Sequence, residues 1–379
     1  MLDPIIELPV ILEEQLINNG LKVAFATLNA SKSLNALSLP MIELLLPQLK
    51  LWLSNSEIAV IIIQGAGDKA FCAGGDVVSI YHDLVLKHQQ NSSNTLNDDE
   101  IEDCLGVEFF TKEYELDKLI HNATKPILVW ADGYVMGGGI GLVAGASHRV
   151  VTQKTIMAMP EVTIGLYPDV GASWFLNQMP QGVGLFLGLT GMTFNGFDAK
   201  FLKLADHVID SEKIELLNKA LLEVNWTTHE KHNHQLLSEV LNKQSLEPVS
   251  QSTALIKQEM ETIKKVTSFD NIIDIFHAIV NESSCSQWFN QAQKKLSHGS
   301  PLSAHIIYYQ LMVCQDLTVS ECFEQEFNLS MRCCQFSEFT EGVRALLVDK
   351  DKKPQWFYKN IQTVESKLVD WFFTTIKRK

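Results

Sequence analysis

The sequence predicts an α/β protein with a helical C-terminal region. Apolar, β-branched runs indicate buried strands, helical segments alternate with these runs, and the chain turns helical from about residue 180. We therefore expect a core in residues 1–210 that carries the functional site, and a helical region in residues 211–379. With 379 residues, of which 46% are hydrophobic and 20% charged, the chain is long enough to bury a large core.

The N-terminal segments predict a hairpin, a helix and a buried strand, in that order. Residues 10–16 and 22–28 flank an Asn-Asn-Gly turn, which is typical of a β-hairpin. Ser38 is placed to cap a helix whose apolar side chains continue to Leu53. Residues 58–64 form an apolar, β-branched run, which indicates a buried parallel strand.

Two glycine loops follow predicted strands. Residues 70–76 read Ala-Phe-Cys-Ala-Gly-Gly-Asp, and residues 136–141 read Met-Gly-Gly-Gly-Ile-Gly. Glycines leave no Cβ over the backbone, and a glycine turn before a helix leaves N–H groups free to bind an oxygen that becomes negative. The backbone N–H groups of Gly75 and Gly138 are therefore candidates for an oxyanion hole. For the triplet alone, a tight packing corner without chemistry is equally compatible, and the dinucleotide-binding spacing is absent.

Two acidic residues stand in turn-rich, otherwise apolar sequence. Glu161 follows Pro160, and Asp169 follows Pro168, eight residues farther on. Carboxylates at this spacing across a loop can converge, and a carboxylate in an apolar pocket has a raised pKa and can act as acid, base or nucleophile. Either residue alone is better explained as a loop cap, but together with the glycine loops the pair predicts a catalytic site. The Ser nucleophile motif G-x-S-x-G does not occur.

Three further segments give weaker signals. Residues 87–100 are polar and predict a loop or a disordered insertion. A helix over about 101–121 carries Glu113, and a single acid on a helix usually faces solvent. His229, His232 and His234 form H-x-x-H-x-H, in which a metal site is conceivable, but the polar neighbours favour a solvated loop.

Composition bounds the compartment and the partners. The net charge of −14 argues against a nucleic-acid or anionic-membrane surface. Seven cysteines without a C-x-x-C motif indicate free thiols in a reducing compartment, and the adjacent pair Cys333 and Cys334 is better explained by helix packing than by reactivity. The acidic N-terminus is unlike a signal or transit peptide, and no apolar run reaches membrane-spanning length. These features predict a cytoplasmic protein.

The motifs together resemble the crotonase (enoyl-CoA hydratase/isomerase) superfamily, and most closely its acyl-CoA thioester hydrolases. The likeness runs from about residue 10 to 360. It rests on six motifs that agree in order and spacing: residues 33–37, 70–76, 136–141, 158–171, 299–301 and 341–351.

The resemblance implies a fold and a set of site residues. The fold would be a crotonase (ClpP-like) ββα spiral with two roughly perpendicular sheets, followed by the helical region. A CoA thioester oxygen would lie between the N–H groups of Gly75 and Gly138, and Glu161 and Asp169 would be catalytic. Glu113 would accept a hydrogen bond from a 3-hydroxyl group of the substrate. The CoA moiety would lie along the backbone of four residues: Ser33, Asn35, Ala36 and Gly74.

The implied reaction is hydrolysis of 3-hydroxyisobutyryl-CoA, a step of valine breakdown. Hydratases of the superfamily carry a second glutamate where this chain has Gly141, and the hydrolases carry an aspartate where it has Asp169. Ala172, Ser173 and Trp174 depart from the usual pattern, which leaves the acyl group less certain than the chemistry. The resemblance implies no metal and no cofactor, since CoA is part of the substrate, and it leaves a homo-oligomer open.

Three rival functions remain at this stage. An enoyl-CoA hydratase or isomerase would need a second acid near Gly141. A hydrolase of another short 3-hydroxyacyl-CoA, such as 3-hydroxypropionyl-CoA, differs only in the acyl group. A catalytically silent RNA-binding protein on the same fold is disfavoured by the charge and by the two retained acids.

Overall fold

The structure is a computed structural model that describes residues 8–90, 95–246, 254–283 and 286–376. The chain divides into two compact units. The first unit comprises the described residues of Met1–Gly75, Glu115–Met157 and Phe194–Ala254. The second unit comprises those of Asp76–Tyr114, Ala158–Thr193 and Leu255–Lys379.

The strands form two sheets. They are, in chain order, β1 (Val10–Leu16), β2 (Lys22–Leu28), β3 (Ile58–Gly65), β4 (Ala70–Cys72), β5 (Ile127–Ala131), β6 (Tyr134–Met136), β7 (His148–Val151), β8 (Ile156–Ala158), β9 (Phe194–Asn195) and β10 (His207–Val208).

The helices alternate with the strands and continue alone after β10 in the described part of the chain. They are α1 (Leu39–Ser54), α2 (Val77–Gln90), α3 (Asp98–Ile101), α4 (Leu105–His121), α5 (Gly138–Ala144), α6 (Ala172–Asn177), α7 (Val183–Thr190), α8 (Gly196–Phe201), α9 (Ile214–Glu223), α10 (Glu230–Gln244), α11 (Leu255–Val266), α12 (Ile272–Val280), α13 (Gln287–His298), α14 (Pro301–Val313), α15 (Val319–Gln335), α16 (Ser337–Val343) and α17 (Ser366–Phe372). Short 3₁₀ helices and one π-helical turn complete the set: Ser31–Ser33, Glu161–Ile164, Ser211–Lys213, Arg344–Val348 (π) and Ile361–Thr363.

The larger sheet has six strands in the order β1-β2-β3-β5-β7-β10. β1 and β2 form the antiparallel hairpin that the sequence predicts, with Val10 opposite Leu28, and the remaining pairs are parallel. β3 is buried on both faces, which explains its uninterrupted apolar, β-branched sequence. The smaller sheet has the order β4-β6-β8-β9. α9 and α10 contribute Leu217, Leu237 and Leu241 to the apolar core on one face of the larger sheet.

The second unit is built from helices. α6 and α7 pack against α14, α6 also packs against α15, and α16 packs against α15 and against the 3₁₀ helix Glu161–Ile164. Large apolar side chains fill this interior, and Phe289, Phe323 and Phe339 are fully buried. In the described part of the chain, no helix combines the length and the apolar character needed to cross a lipid bilayer.

Two predicted loops are wrong in part. α2 extends to Gln90 and α3 begins at Asp98, so helix replaces much of the polar segment 87–100, of which 91–94 lie outside the described residues. Residues 230–244 form α10, so His232 and His234 lie on a helix rather than in a loop. In both cases a few buried apolar side chains anchor an otherwise polar helix, which composition alone does not reveal.

The cysteines lie inside the molecule. Six are described, all of them free and buried, whereas Cys285 lies outside the described residues. Cys333 and Cys334 are both in α15, as the packing interpretation expects, and burial raises the pKa of the Cys333 thiol well above its usual value. A thiol with a raised pKa is a poor nucleophile, so this pair has no reactive character.

Candidate active site

The two glycine loops lie at one edge of the smaller sheet. β4 and β6 are neighbouring parallel strands, so their carboxyl ends lie side by side. β4 leads into Gly74 and Gly75, and β6 leads into Gly137 and Gly138. The structure therefore brings together, within the first unit, the two loops that the sequence singles out.

The glycines are required at this edge for steric reasons. A Cβ on Gly139 would overlap the backbone oxygen of Cys72, so the start of α5 packs directly on the end of β4. Gly74 and Gly137 have φ values of 106° and 44°, a region that side chains rarely adopt. Gly138 is the first residue of α5, and the first N–H groups of a helix have no partner within it. The loop backbone thus presents donors without covering them with side chains.

Asn35 connects the predicted CoA-binding loop to β4. Its side chain is fully buried, accepts a hydrogen bond from the N–H of Ala30, and donates to the carbonyls of Ala66 and Ala70 at 2.9 and 2.8 Å. Its φ of 54° explains why asparagine, which tolerates the left-handed region, stands here. The side chain of Asn35 is therefore a structural tie, and only the backbone of the loop is left for CoA.

Further backbone contacts join this loop to the first glycine loop. The N–H of Leu37 donates to the carbonyl of Gly74 at 2.8 Å, and the N–H of Ala73 donates to Leu34 at 3.0 Å. Ser33 and Ala36 lie in the same tight turn, since the N–H of Ala36 donates to the carbonyl of Ser33. The four residues predicted to bind CoA thus form one continuous surface of the first unit.

Glu161 begins a 3₁₀ helix in the second unit. The residue is only 5% exposed, and within the described part of the chain its Oε2 atom has no hydrogen-bond partner. Burial raises the pKa of Glu161 well above its usual value, and the nearby carboxylate of Asp169 raises it further. A buried carboxyl oxygen without a partner is costly, which is typical of a group kept for chemistry.

Two C-terminal motifs hold the turn that carries Glu161. The N–H of Ser300 donates to the carbonyl of Val162 at 3.0 Å, and the Ser300 hydroxyl donates to Glu338 at 2.6 Å. A Cβ on Gly342 would overlap the backbone of Ile164. The Gly-Ser-Pro and Glu-Gly-Val-Arg motifs of the sequence are therefore the support of the 3₁₀ helix.

Asp169 lies in a buried loop and contacts a tyrosine. Its Oδ2 atom is 2.6 Å from the hydroxyl oxygen of Tyr114 on α4. Burial raises the pKa of Asp169 to about 6. The electrostatic effect of Asp169 on Glu161 shows that the two acids, eight residues apart in sequence, are close enough to interact.

The loop that carries Asp169 has a strained backbone. Val170 has a φ of 54°, which is exceptional for a β-branched residue, and the following residue, Gly171, has a φ of 85°. The amide nitrogen of Gln310 donates to the carbonyl of Pro168 at 2.6 Å, and the buried carboxylate of Glu326 accepts from the N–H of Gly171 at 2.7 Å. Such strain persists because buried hydrogen bonds on both sides of Asp169 determine the conformation.

Glu113 lies on α4, next to Tyr114, and is 2% exposed. The expectation from the residues alone, a solvent-facing acid, is therefore wrong, because the helix turns this side chain into the interior of the second unit. The role in substrate binding that the resemblance implies stays a prediction.

The sequence analysis missed several residues around Asp169. They are Tyr114, Tyr167, Gln310, Glu326 and Ser330. Only Tyr167 lies near a recognised motif, and the others occupy ordinary helix positions 55 to 161 residues from Asp169. The one available signal is a set of polar residues on the apolar faces of α14 and α15.

The site chemistry is that of two interacting carboxyl groups and backbone donors. The described residues contain no group of three His, Cys, Asp or Glu side chains arranged to hold a metal ion. Of the predicted histidine cluster, His234 contacts the carbonyl of Thr124 at 2.9 Å and stacks on the ring of His148. Such a set can protonate, deprotonate or attack an acyl carbonyl and stabilise the resulting oxyanion.

Comparison with known proteins identifies the class. The profile of the enoyl-CoA hydratase/isomerase family matches residues 23–373, and the chain belongs to this family. Curated relatives within it carry a more specific name. The chain is 35% identical to "3-hydroxyisobutyryl-CoA hydrolase, mitochondrial" of Danio rerio, over 94% of this chain and 88% of that one. It is 33% identical to the Homo sapiens protein of the same name, over 96% and 89%.

Solved structures confirm the fold. An enoyl-CoA hydratase from Rhodobacter sphaeroides superposes with a TM-score of 0.80 at 24% identity, covering 97% of this chain and 98% of that one. A carnitinyl-CoA dehydratase from Mycobacterium thermoresistibile gives 0.83 at 27% identity, covering 98% and 97%. The protein thus has the crotonase fold with a helical C-terminal region, as predicted.

The cytoplasmic prediction is wrong, because the relatives named above are mitochondrial proteins. Free, buried thiols exclude an oxidising compartment, but they do not distinguish the cytoplasm from the interior of the mitochondrion. The composition of a folded chain does not reveal which of these two reducing compartments contains it.

Proposed function

We propose that the protein hydrolyses the thioester of 3-hydroxyisobutyryl-CoA to 3-hydroxyisobutyrate and CoA. The observation that carries the proposal is the pair of buried, interacting acids, Glu161 and Asp169, in a chain that has glycine at position 141. A hydratase of this family needs a second acid at that position, and glycine provides no side chain. The names of the curated relatives support the same reaction.

In this proposal, the backbone N–H groups of Gly75 and Gly138 stabilise the oxyanion that forms on the thioester carbonyl. Donors of this kind contribute about 3 kcal/mol each to transition-state stabilisation in other enzymes. Glu161 either attacks the carbonyl to give an anhydride or takes a proton from the attacking water. Asp169 assists as the second acid, and Glu113 accepts a hydrogen bond from the 3-hydroxyl group.

The substrate is the only small molecule that the reaction requires besides water. We propose that CoA lies along the backbone of the loop that contains Ser33, Asn35 and Ala36, and along Gly74. The reaction proceeds without a metal or a separate cofactor. The names of the relatives favour a mitochondrial location, and homo-oligomerisation is compatible with the family.

The test is release of the CoA thiol from 3-hydroxyisobutyryl-CoA by wild type and by Glu161→Gln. We expect rapid release from wild type and its loss in the variant, because the amide can neither attack nor accept a proton. Release that survives in Glu161→Gln would keep the reaction and move the catalytic role to Asp169. Hydration of crotonyl-CoA without thiol release would overturn the hydrolase proposal. A parallel series with 3-hydroxypropionyl-CoA separates the two acyl groups by kcat/KM.

A further inference from the structure

A chain of hydroxyl groups extends from Asp169 through the second unit. The hydroxyl oxygen of Tyr114 lies 2.6 Å from Asp169 Oδ2 and 2.7 Å from Ser330 Oγ. Ser330 Oγ lies 2.7 Å from the hydroxyl oxygen of Tyr167, which donates to the backbone carbonyl of Glu326. These separations are normal for O–H···O hydrogen bonds, so each of the four contacts requires one proton.

The hydroxyl groups alone do not supply enough protons. Each hydroxyl donates one proton, so Tyr114, Ser330 and Tyr167 supply three for four contacts. The carbonyl of Glu326 has none to give, so the Tyr167 proton points to it. Ser330 must then donate to Tyr167, and Tyr114 must donate to Ser330. The fourth proton, between Tyr114 and Asp169, has to come from the Asp169 carboxyl group.

The alternative leaves a contact without a proton. If Asp169 were ionised, Tyr114 would donate to it, and Ser330 could satisfy only one of its two neighbours. Two oxygen lone pairs would then face each other at 2.7 Å in a fully buried position. Unpaired polar contacts of this kind are costly in a buried site.

We propose that Glu161 and Asp169 share one proton, that this proton resides on Asp169, and that the hydroxyls of Tyr114, Ser330 and Tyr167 keep it there. The three hydroxyl residues are positioning residues, since they act through Asp169. The division leaves Glu161 as the carboxylate that attacks or accepts a proton. It resembles other enzymes in which two carboxyl groups take different roles because their environments differ.

The use of this proton rests on the proposed hydrolysis. When the C–S bond breaks, its electron pair goes to sulfur, and the Asp169 proton moves to the same sulfur to give the free thiol. Asp169 is then a carboxylate. The proton that Glu161 takes from the attacking water passes to Asp169 and restores the starting state. Water supplies the oxygen of the product acid, so no further reactant is needed.

The charged and titratable groups around Asp169 favour the same state. Glu161 on the 3₁₀ helix and Glu326 on α15 both interact with Asp169 and disfavour a second negative charge. Burial raises the pKa of Tyr114 and of Tyr167 well above the usual value, so both keep their hydroxyl protons at neutral pH. Cys333, which also interacts with Asp169, stays a neutral thiol for the same reason.

The proposal is tested by the sign of a pKa change. In Ser330→Ala, Tyr114 no longer has an acceptor at position 330 and can turn its proton to an ionised Asp169, so the pKa of Asp169 falls. We expect a fall of about one unit, the equivalent of one hydrogen bond. If Tyr114 instead donates to Asp169 in wild type, the same variant leaves the pKa unchanged or raises it. Tyr114→Phe gives the same opposition: a fall supports the proposal and a rise contradicts it.

The pKa of Asp169 is measurable without substrate. Infrared spectra of protein labelled with ¹³C at the aspartate carboxyl separate aspartic from glutamic acid bands, and Asp169→Asn identifies the Asp169 band. Ser303→Ala is the matched control, since Ser303 is a buried serine of α14 whose hydroxyl has no partner within the described residues. It should leave the band unchanged. Absence of the protonated band in wild type at neutral pH would overturn the proposal.

Enzyme activity gives an independent reading. If Asp169 is the acid, the alkaline limb of kcat/KM for thiol release moves to lower pH in Ser330→Ala by the same amount as the infrared titration. A wild type that releases no thiol would disprove the proposed function, yet the infrared result would still decide where the proton resides. The two failures are therefore distinguishable.

Discussion

Glu326 accepts two hydrogen bonds from Ser173, one from the backbone N–H at 2.8 Å and one from the hydroxyl at 2.6 Å. The same carboxylate accepts the N–H of Gly171 at 2.7 Å. These donors lie at the start of α6, two to four residues after Asp169. A buried acid on α15 therefore stabilises the start of α6 and fixes the strained backbone that carries Asp169.

Replacing Glu326 should destabilise the second unit and impair the site together. In Glu326→Gln an amide donor faces the donors of Gly171 and Ser173, so we expect a loss of about 2–4 kcal/mol in the free energy of unfolding. Displacement of Asp169 should also lower kcat at least roughly tenfold. Urea denaturation and the thiol-release assay measure the two effects.

A graded comparison separates this mechanism from a general packing defect. Ser173→Ala removes only the hydroxyl donor and should cost about 1–2 kcal/mol. Ser303→Ala removes a buried hydroxyl with no partner among the described residues and should cost less than Ser173→Ala. A Glu326→Gln protein as stable and active as wild type would show that the carboxylate does not hold the loop.

The sequence predicts the residues that carry chemistry better than those that hold them. Glu161 and Asp169 follow prolines in apolar turns, and Gly75 and Gly138 lie in conspicuous loops, so local sequence is sufficient to find them. Glu326 looks like any other helical acid. Its role depends on a contact across 155 residues of sequence, which no local pattern records.

The same distinction applies to the fold. The hairpin of β1 and β2 is predicted to the residue because alternation and an Asn-Asn-Gly turn are local signals. The helical state of residues 230–244 is not predicted, because it depends on burial of Leu237 and Leu241 against the larger sheet. Tertiary packing decides the structure wherever local composition is polar.

The packing of Gly139 on Cys72 predicts a severe effect of a single methyl group. In Gly139→Ala the Cβ would overlap the backbone oxygen of Cys72, so α5 must move away from β4. We expect a loss of several kcal/mol in stability or, if the protein folds, a strong decrease in kcat, because the loops that carry Gly75 and Gly138 separate. Thermal unfolding and thiol release measure these changes.

Gly20→Ala is the control for glycine replacement. Gly20 has a φ of 84° and open space around it, so alanine there adds only backbone strain of about 1–2 kcal/mol. Its activity should match wild type. Equal effects of the two substitutions on kcat would contradict a specific role for the contact between Gly139 and Cys72.

Buried His148 predicts a loss of stability in weak acid. Burial lowers its pKa to about 4, whereas an unfolded histidine titrates near 6.5, so the unfolded chain binds a proton that the folded chain excludes. The contribution of neutral His148 is thus fully present above pH 6.5 and is lost as the pH falls toward 4. The full effect is about 2–3 kcal/mol.

His148→Gln removes this titration. The variant should be less stable than wild type at pH 7, since the histidine contacts Ser238 and the carbonyl of His234. Its stability should decline less between pH 6.5 and 4 when urea denaturation is followed at several pH values. Parallel curves for the two proteins would mean that His148 does not contribute to acid sensitivity.

The buried cysteines predict that native protein thiols react slowly with a thiol reagent. Only the thiolate reacts, and burial raises the pKa of Cys104 and Cys314 to about 11 and that of Cys322 to about 12. In Cys285→Ser, which removes the cysteine outside the described residues, we expect little labelling of native protein and complete labelling of the remaining thiols in denaturant. Rapid labelling of one thiol in the native variant would reveal an opening of the fold that exposes it. Slow labelling has a practical consequence, because thiol released from an acyl-CoA can then be measured with little background from the enzyme itself.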